Sequence, residues 1–237
     1  IEKKKGDEMT CGSHSNQFTC VRNVPIFKEL NEEELTVLQK TVRHQAYQKG
    51  EYIFQEDEPS NTLYVVHTGM VKLVKLSEEG KEQIIRILFP GDFFGQYALL
   101  ENKHHYANAE VLEEAKVCLI HKDDFRTVLE RNPSMALKYM MVLSERLQLA
   151  DEWIGAISLM EVEKRLAKAL LAFFEKEQKK EFELPVSKKD FAALIGTTPE
   201  TLSRKLVSLQ SQKVLQLNGR KTIQLLSLET LTEMAKS

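Results

Sequence analysis

The 237 residues, 42% hydrophobic and 29% charged with a formal net charge of −2, make a chain long enough for two ordinary domains, each able to bury a core without staples. This composition excludes wholesale disorder, and no apolar run approaches the roughly 18 residues that a membrane span needs. The first residues are polar rather than a signal peptide, so a cytoplasmic location and no membrane partner are expected by default; Met9 is a candidate start that would leave Ile1 to Glu8 as an extension.

Charge is unevenly spread. From Glu161 to the end, 14 Lys and Arg stand against 10 Asp and Glu, a net +4 that leaves −6 for residues 1–160. Between Leu184 and Leu225 seven basic residues face two acidic ones. A modest basic segment alone is more often a solvated face than a nucleic-acid footprint, so the motifs carry the decision.

In chain order, Asn31 followed by Glu34, Leu35 and Leu38 predicts an N-capped helix. From about Val24 to Phe125 short β segments are punctuated by Gly50, Gly69, Gly80, Gly91 and Gly95, the pattern of a meander or roll. Tyr64 to Val74 predicts a hairpin around Gly69, Gln83 to Leu88 a strand running to a Pro90-Gly91-Asp92 turn, and Val117 to Ile120 the closing strand. Pro133 opens a helix that runs without Gly or Pro as far as Ile154. Along it Met140, Leu143, Leu147, Ala150, Ile154 and Ile157 alternate at spacings of three and four. Such a seam suits a helix buried in one domain or one shared between two copies; the small Ala150 and the absence of repelling charge along the line favour a homodimer. Ser158 to Glu161 reads as a hinge, and Glu161 to Gln178 as an amphipathic helix carrying Leu166, Leu170 and Phe173 or Phe174.

The informative stretch follows. Ser187 and Asp190 form a capping box for a helix bearing Phe191, Ala192, Leu194 and Ile195, which Gly196 stops. Thr198 is a good N-cap with Pro199 at the first helical position, so a second helix starts two residues after the stop, the spacing of a helix-turn-helix. On that helix Leu202, Leu206 and Leu209 share the packing face, and Glu200, Ser203 and Arg204 the opposite one. Arg can bond guanine O6 and N7 bidentately, Glu can accept from cytosine N4, and Ser can meet a base edge, so these three are candidates for base readout. Taken singly, Glu200 and Arg204, one turn apart, read better as an intrahelical ion pair of about 0.3–0.5 kcal/mol. Val214 to Leu217, an Asn218-Gly219 turn and Thr222 to Leu225 make a hairpin with Arg220 and Lys221 at its tip, the wing of a winged helix. Lys188, Thr198, Thr201, Arg220 and Lys221 are the candidates for contacts to the phosphate backbone, which supply affinity rather than sequence choice. Helix, turn, helix and wing in this order point to double-stranded DNA.

Gly50 to Phe54, Gly69 to Leu76, Phe89 to Leu100 and Thr198 to Leu209 resemble the Crp/Fnr family of bacterial transcription regulators, a likeness running from Pro25 to Lys236. The resemblance implies an α+β chain: a cupin-like double-stranded β-helix roll of the cyclic-nucleotide-binding type, a long dimerisation helix and a C-terminal winged helix-turn-helix. The expected divisions are residues 1–23 as an N-terminal arm, 24–131 as the sensor roll, 132–159 as dimerisation helix and hinge, and 160–237 as the DNA-binding domain. The E-x-x-S-R motif of Fnr-like members stands here as Glu200, Ser203 and Arg204, which implies TTGAT-type palindromic half-sites, about one helical turn apart for a two-fold dimer. RNA polymerase is a further candidate partner. The cyclic-nucleotide branch uses a glycine-glutamate pair and an arginine-serine pair; here Gln96 follows Gly95, and His105, Tyr106 and Ala107 occupy the neighbourhood of the arginine and serine, which argues against cyclic AMP. His104 and His105 are expected on an exposed polar loop.

Fnr-type oxygen sensors hold an iron-sulfur cluster with N-terminal cysteines patterned C-x2-C-x5-C and one cysteine in the roll. Cys11 and Cys20 match the outer pair, Cys118 matches the distant one, and His14 fills the missing cysteine's place as a weak metal-ligand candidate. Two rival readings stay open: a thiol switch pairing Cys118 with Cys11 or Cys20, and an inert Cys118 acting as a small apolar residue in a strand. A regulator of the same fold answering to a small molecule in the roll, and a ligand-binding module that does not bind DNA, are the alternatives. An enzyme is not expected, because no pair of histidines stands with a carboxylate at ligand spacing.

Overall fold

The computed structural model describes residues 24, 27, 31–97, 104–219 and 221–236. They divide into two compact units: one holds the described residues through Val74 together with Ile87–Ser144, the other Lys75–Arg86 and the chain from Glu145 onward. No helix among them is long and apolar enough to cross a membrane.

The antiparallel roll comprises β1 (Arg43–Tyr47), β2 (Tyr52–Phe54), β3 (Thr62–Leu76), β4 (Glu82–Leu88), β5 (Phe93–Phe94) and β6 (Asn108–His121), flanked by α1 (Glu32–Thr41) and α2 (Lys122–Arg131); all of it lies in the first unit except the end of its β3–β4 hairpin, Lys75–Arg86. The main path runs β1-β6-β3-β4, with β2 added to β6 and β5 to β3. Its core gathers Leu63, Val65, Phe93, Cys118 and Ile120 from the strands against Leu35 and Leu38 of α1 and Phe125 and Val128 of α2. Phe27 meets Phe125 edge-on with ring centroids 6.0 Å apart. Each such Leu or Phe removed from water stabilises the unit by about 1.5–3 kcal/mol. The His121 side chain caps α2 by accepting from the Asp123 N–H, with Asp123 and Asp124 in the first turn where the helix dipole favours them.

Gly69 does not turn a hairpin. It lies at φ +79° inside one 15-residue strand, β3, whose register against β6 shifts between Val66 and Thr68, Thr68 and Met70, and Met70 and Val71. A Cβ there would sit 2.1 Å from the Glu114 carbonyl oxygen, so the glycine serves a close approach of two backbones at a bulge. Just past it, Lys72 is 3% exposed and pairs at 3.1 Å with Glu110, its direct neighbour on β6. The second departure from expectation is His105, which is 5% exposed rather than on a polar loop. Its ring stacks on Phe54 with centroids 3.5 Å apart and 6° between planes, and its backbone pairs with Asp57 and Glu58.

From the roll the chain enters α3 (Pro133–Leu159), which continues through Gly155 and so carries the seam on to Ile157. Met135 and Tyr139 pack into the first core, with Leu143 partly buried beside them. Met140, Leu147 and Ile154 are 58, 64 and 63% exposed.

The second unit contains α4 (Val162–Glu177), β7 (Glu181–Glu183), α5 (Lys188–Leu194), α6 (Pro199–Ser211), β8 (Leu215–Asn218), β9 (Thr222–Leu225) and α7 (Leu228–Lys236). Leu166, Leu170 and Phe173 form the buried stripe of α4, and Phe173 packs on Phe191 of α5 with centroids 5.6 Å apart. The sheet runs β7-β9-β8. Within this unit the Lys75–Arg86 segment meets α5: the Gln83 side-chain amide donates to the Ala193 carbonyl at 2.8 Å, and Lys189 pairs with Glu82 at 2.8 Å.

Candidate nucleic-acid interface

The site is built from local signals that agree with one another. Ser187 accepts from the Asp190 N–H at 3.1 Å while its hydroxyl donates to the Asp190 carboxylate, closing the capping box at the start of α5. Gly196 turns the chain at φ +66°, a backbone angle suited to glycine, and the Thr197 N–H returns to the Ala192 carbonyl at 2.9 Å. Ala192 is fully buried, as a close helix crossing requires. Thr198 then caps α6, its hydroxyl accepting from the Thr201 N–H at 3.3 Å, and Pro199 occupies the first turn.

Leu202, Leu206 and Leu209 are buried to 1% exposure or less and dock α6. On the other side Glu200 and Arg204 are exposed and Ser203 is half-buried, all within the first turns of the helix. The Arg204 guanidinium donates to the Thr201 hydroxyl at 3.2 Å, which steers its fork without consuming it. The backbone N–H at its own position, first, then the Thr198 hydroxyl and the nearby Arg204 charge hold the Glu200 carboxyl below its ordinary range. An ionised carboxylate beside a guanidinium thus presents an acceptor and a forked donor on one face.

The hairpin behind this face is β8 and β9, paired Asn218 with Thr222, and Gly219 sits at φ +81° in its turn. Gln210 of α6 accepts from the Leu217 N–H at 2.9 Å and so ties the hairpin to the reading helix. Lys221 is exposed near the tip, Lys188 is half-buried in the first turn of α5, and Arg220 lies outside the described residues. Cys11, Cys20 and His14 lie outside them too. Cys118 is fully buried on β6, its sulfur 3.5 Å from Nδ1 of His44 on β1, and burial first, then His67, holds that imidazole below its ordinary range. Among the described residues, no three His, Cys, Asp or Glu side chains gather as a metal site.

Two side chains escaped the sequence reading. Lys205, half-buried on α6, pairs with Glu163 in the first turn of α4. Arg165 is 7% exposed and donates only to backbone carbonyls, reaching Ile195 and Gly196 in the turn between α5 and α6. The available signal was position: Arg165 precedes Leu166 and stands one turn before Ala169, both on the buried stripe.

Comparison with known proteins agrees with this geometry. Residues 44–132 match the cyclic nucleotide-binding domain and residues 164–234 the Crp-like helix-turn-helix domain. The chain is 32% identical over 192 residues to an anaerobic regulatory protein of Pasteurella multocida, covering 78% of this chain and 70% of that one. It is 29% identical over 198 residues to a probable transcriptional regulator, flp, of Lacticaseibacillus casei, covering 84% and 90%. The structure of FixK2 from Bradyrhizobium japonicum is similar with a TM-score of 0.74 at 28% identity, over 81% of this chain and 96% of that one. A β-roll of the cyclic-nucleotide-binding type followed by a winged helix-turn-helix defines a DNA-binding transcription regulator, not an enzyme. The chain belongs to the Crp/Fnr family.

Proposed function

We propose that this regulator acts in the cytoplasm as a homodimer that reads an Fnr-like palindrome with TTGAT-type half-sites. In this reading residues 24–131 sense, 132–159 pair two copies, and 160–237 bind DNA. The observation that carries it is the outward presentation of Glu200, Ser203 and Arg204 on a capped helix whose opposite face is buried. Arg204 takes guanine O6 and N7 and Glu200 takes cytosine N4, while Ser203 meets an adjacent base edge. Lys188, Thr198, Thr201, Arg220 and Lys221 hold phosphates and set the register. The uncovered stripe of Met140, Leu147 and Ile154 supports pairing, with Ala150 and Ile157 continuing it and Leu143 bordering the roll. RNA polymerase is the partner through which a bound dimer alters transcription. Gel-shift titration of a palindrome with half-sites about 10 bp apart, against a scrambled duplex at equal salt, tests the reading. Equal affinity for both refutes it.

Oxygen or redox state is the proposed signal, received through Cys118 with Cys11 or Cys20. The support is the thiol of Cys118 beside His44, together with relatives named as anaerobic regulatory proteins. Disulfide formation would take two electrons and two protons from two thiols to an oxidant such as a peroxide. An iron-sulfur cluster is the other form the signal could take. The described residues alone do not fit one, since they offer it a single thiol, Cys118. Anaerobic purification with a visible spectrum and iron assay separates the two: colour with iron marks a cluster, and a colourless protein that loses two thiols under peroxide marks the disulfide. A colourless protein whose thiol count and DNA affinity ignore peroxide refutes redox control.

A further inference from the structure

Arg165, in the first turn of α4, is a buried cation that DNA contact does not use. All four of its hydrogen bonds end on backbone carbonyls: Nε to Ile195 at 2.8 Å, Nη2 to Gly196 at 3.2 Å, and Nη1 to Met160 at 2.7 Å and Ile157 at 3.3 Å. The acceptors belong to two places far apart in the chain, the end of α3 and the turn between α5 and α6. Each helix leaves its last carbonyls without intrahelical partners and carries partial negative charge there. Two such ends brought together away from water would repel one another and leave acceptors unpaired. A guanidinium is suited to the junction, because its donors lie in a fixed plane and its charge offsets both ends at once. The frame is closed from the other side by the ion pair of Lys205 on α6 with Glu163, which shares the first turn of α4 with Arg165.

We propose that Arg165 is a positioning residue for DNA recognition: by bonding the end of α3 and the helix-turn-helix turn together, it sets the angle at which α6 is carried by α3. The proposal rests on the pairing of two copies through α3, since that angle matters when two reading helices must meet two half-sites at once. A lysine or glutamine at 165 keeps some donors but not the rigid fork, so the domain holds together while the angle loosens.

The test uses the full chain as wild type, Arg165→Lys and Arg165→Gln, each checked for folding by circular dichroism. Affinity is measured for a duplex with one half-site and for palindromes whose central spacer is varied by a base pair either way. Wild type should favour the palindrome and one spacing. The variants should bind the single half-site within about twofold of wild type, yet lose about tenfold of the palindrome advantage and accept neighbouring spacings alike. Retention of both the advantage and the spacing preference overturns the proposal, as does an equal loss on the single half-site or the unfolding of both variants, which mark Arg165 as merely structural. Absence of any palindrome advantage in the wild type removes the pairing reading itself, a separate failure.

Discussion

Folding stability of the roll should depend on pH through His105. Its ring is stacked on Phe54 and almost out of solvent, and burial pushes the imidazole from 6.5 down to about 4, with Glu58 opposing. A depressed histidine binds its proton more readily in the unfolded chain, so its contribution is complete above about pH 6.5 and is lost as pH falls toward about 4. The full displacement corresponds to at most about 3 kcal/mol, and partial screening at the ring edge reduces it to about 1–3 kcal/mol. His44 and His67 are also lowered by burial and act in the same direction, so wild type must be compared with His105→Phe, which keeps an aromatic ring on Phe54. The assay is chemical unfolding followed by circular dichroism at a series of pH values, reading the transition of the first unit. Wild type should lose about 1–3 kcal/mol more than the variant on acidification. Parallel curves for the two proteins would show that the His105 ring is not held neutral by burial, and the reasoning fails.

Arg204→Ala should cost about 1–3 kcal/mol on the palindrome and relax choice at one guanine, whereas Lys221→Ala should weaken all duplexes alike and flatten the salt dependence by about one unit of slope. If both variants lose equally on specific and random DNA, Arg204 does not read a base. Gly69→Ala forces a Cβ into the Glu114 carbonyl at a left-handed backbone angle, and should destabilise the roll by about 3 kcal/mol or more in a thermal melt. An unchanged melting temperature would mean that β3 and β6 are not so closely apposed. Leu147→Glu places a charge on the exposed stripe of α3 and should convert a dimer to a folded monomer by light scattering.

The reading face was legible because its determinants are local. Thr198, Pro199 and Gly196 each act within a few residues of themselves, so cap, start and turn can be inferred without knowing any partner. Gly69 was not, for a reason of the same kind: a glycine between β-forming residues announces a positive φ, and a two-residue turn and a mid-strand bulge both require one. What separates them is the β6 backbone at Glu114, 45 residues downstream. Arg165 and His105 were hidden by residue type. An arginine on an amphipathic helix and a histidine in a polar stretch are read as surface, and only the carbonyls of Ile157, Met160, Ile195 and Gly196, or the face of Phe54, convert them into interior groups.

A strand that slips register three times in a handful of residues needs a mark telling it where to resume. On β3 the mark is Lys72, set opposite Glu110 immediately after the last shift. Sliding either strand by one place would part the buried ammonium from its partly exposed carboxylate and would carry Val71 and Leu73 to the face that Lys72 occupies. The ion pair thereby works as an alignment pin: it adds little to the strength of the roll and rejects the misaligned versions that its glycine kink would otherwise permit.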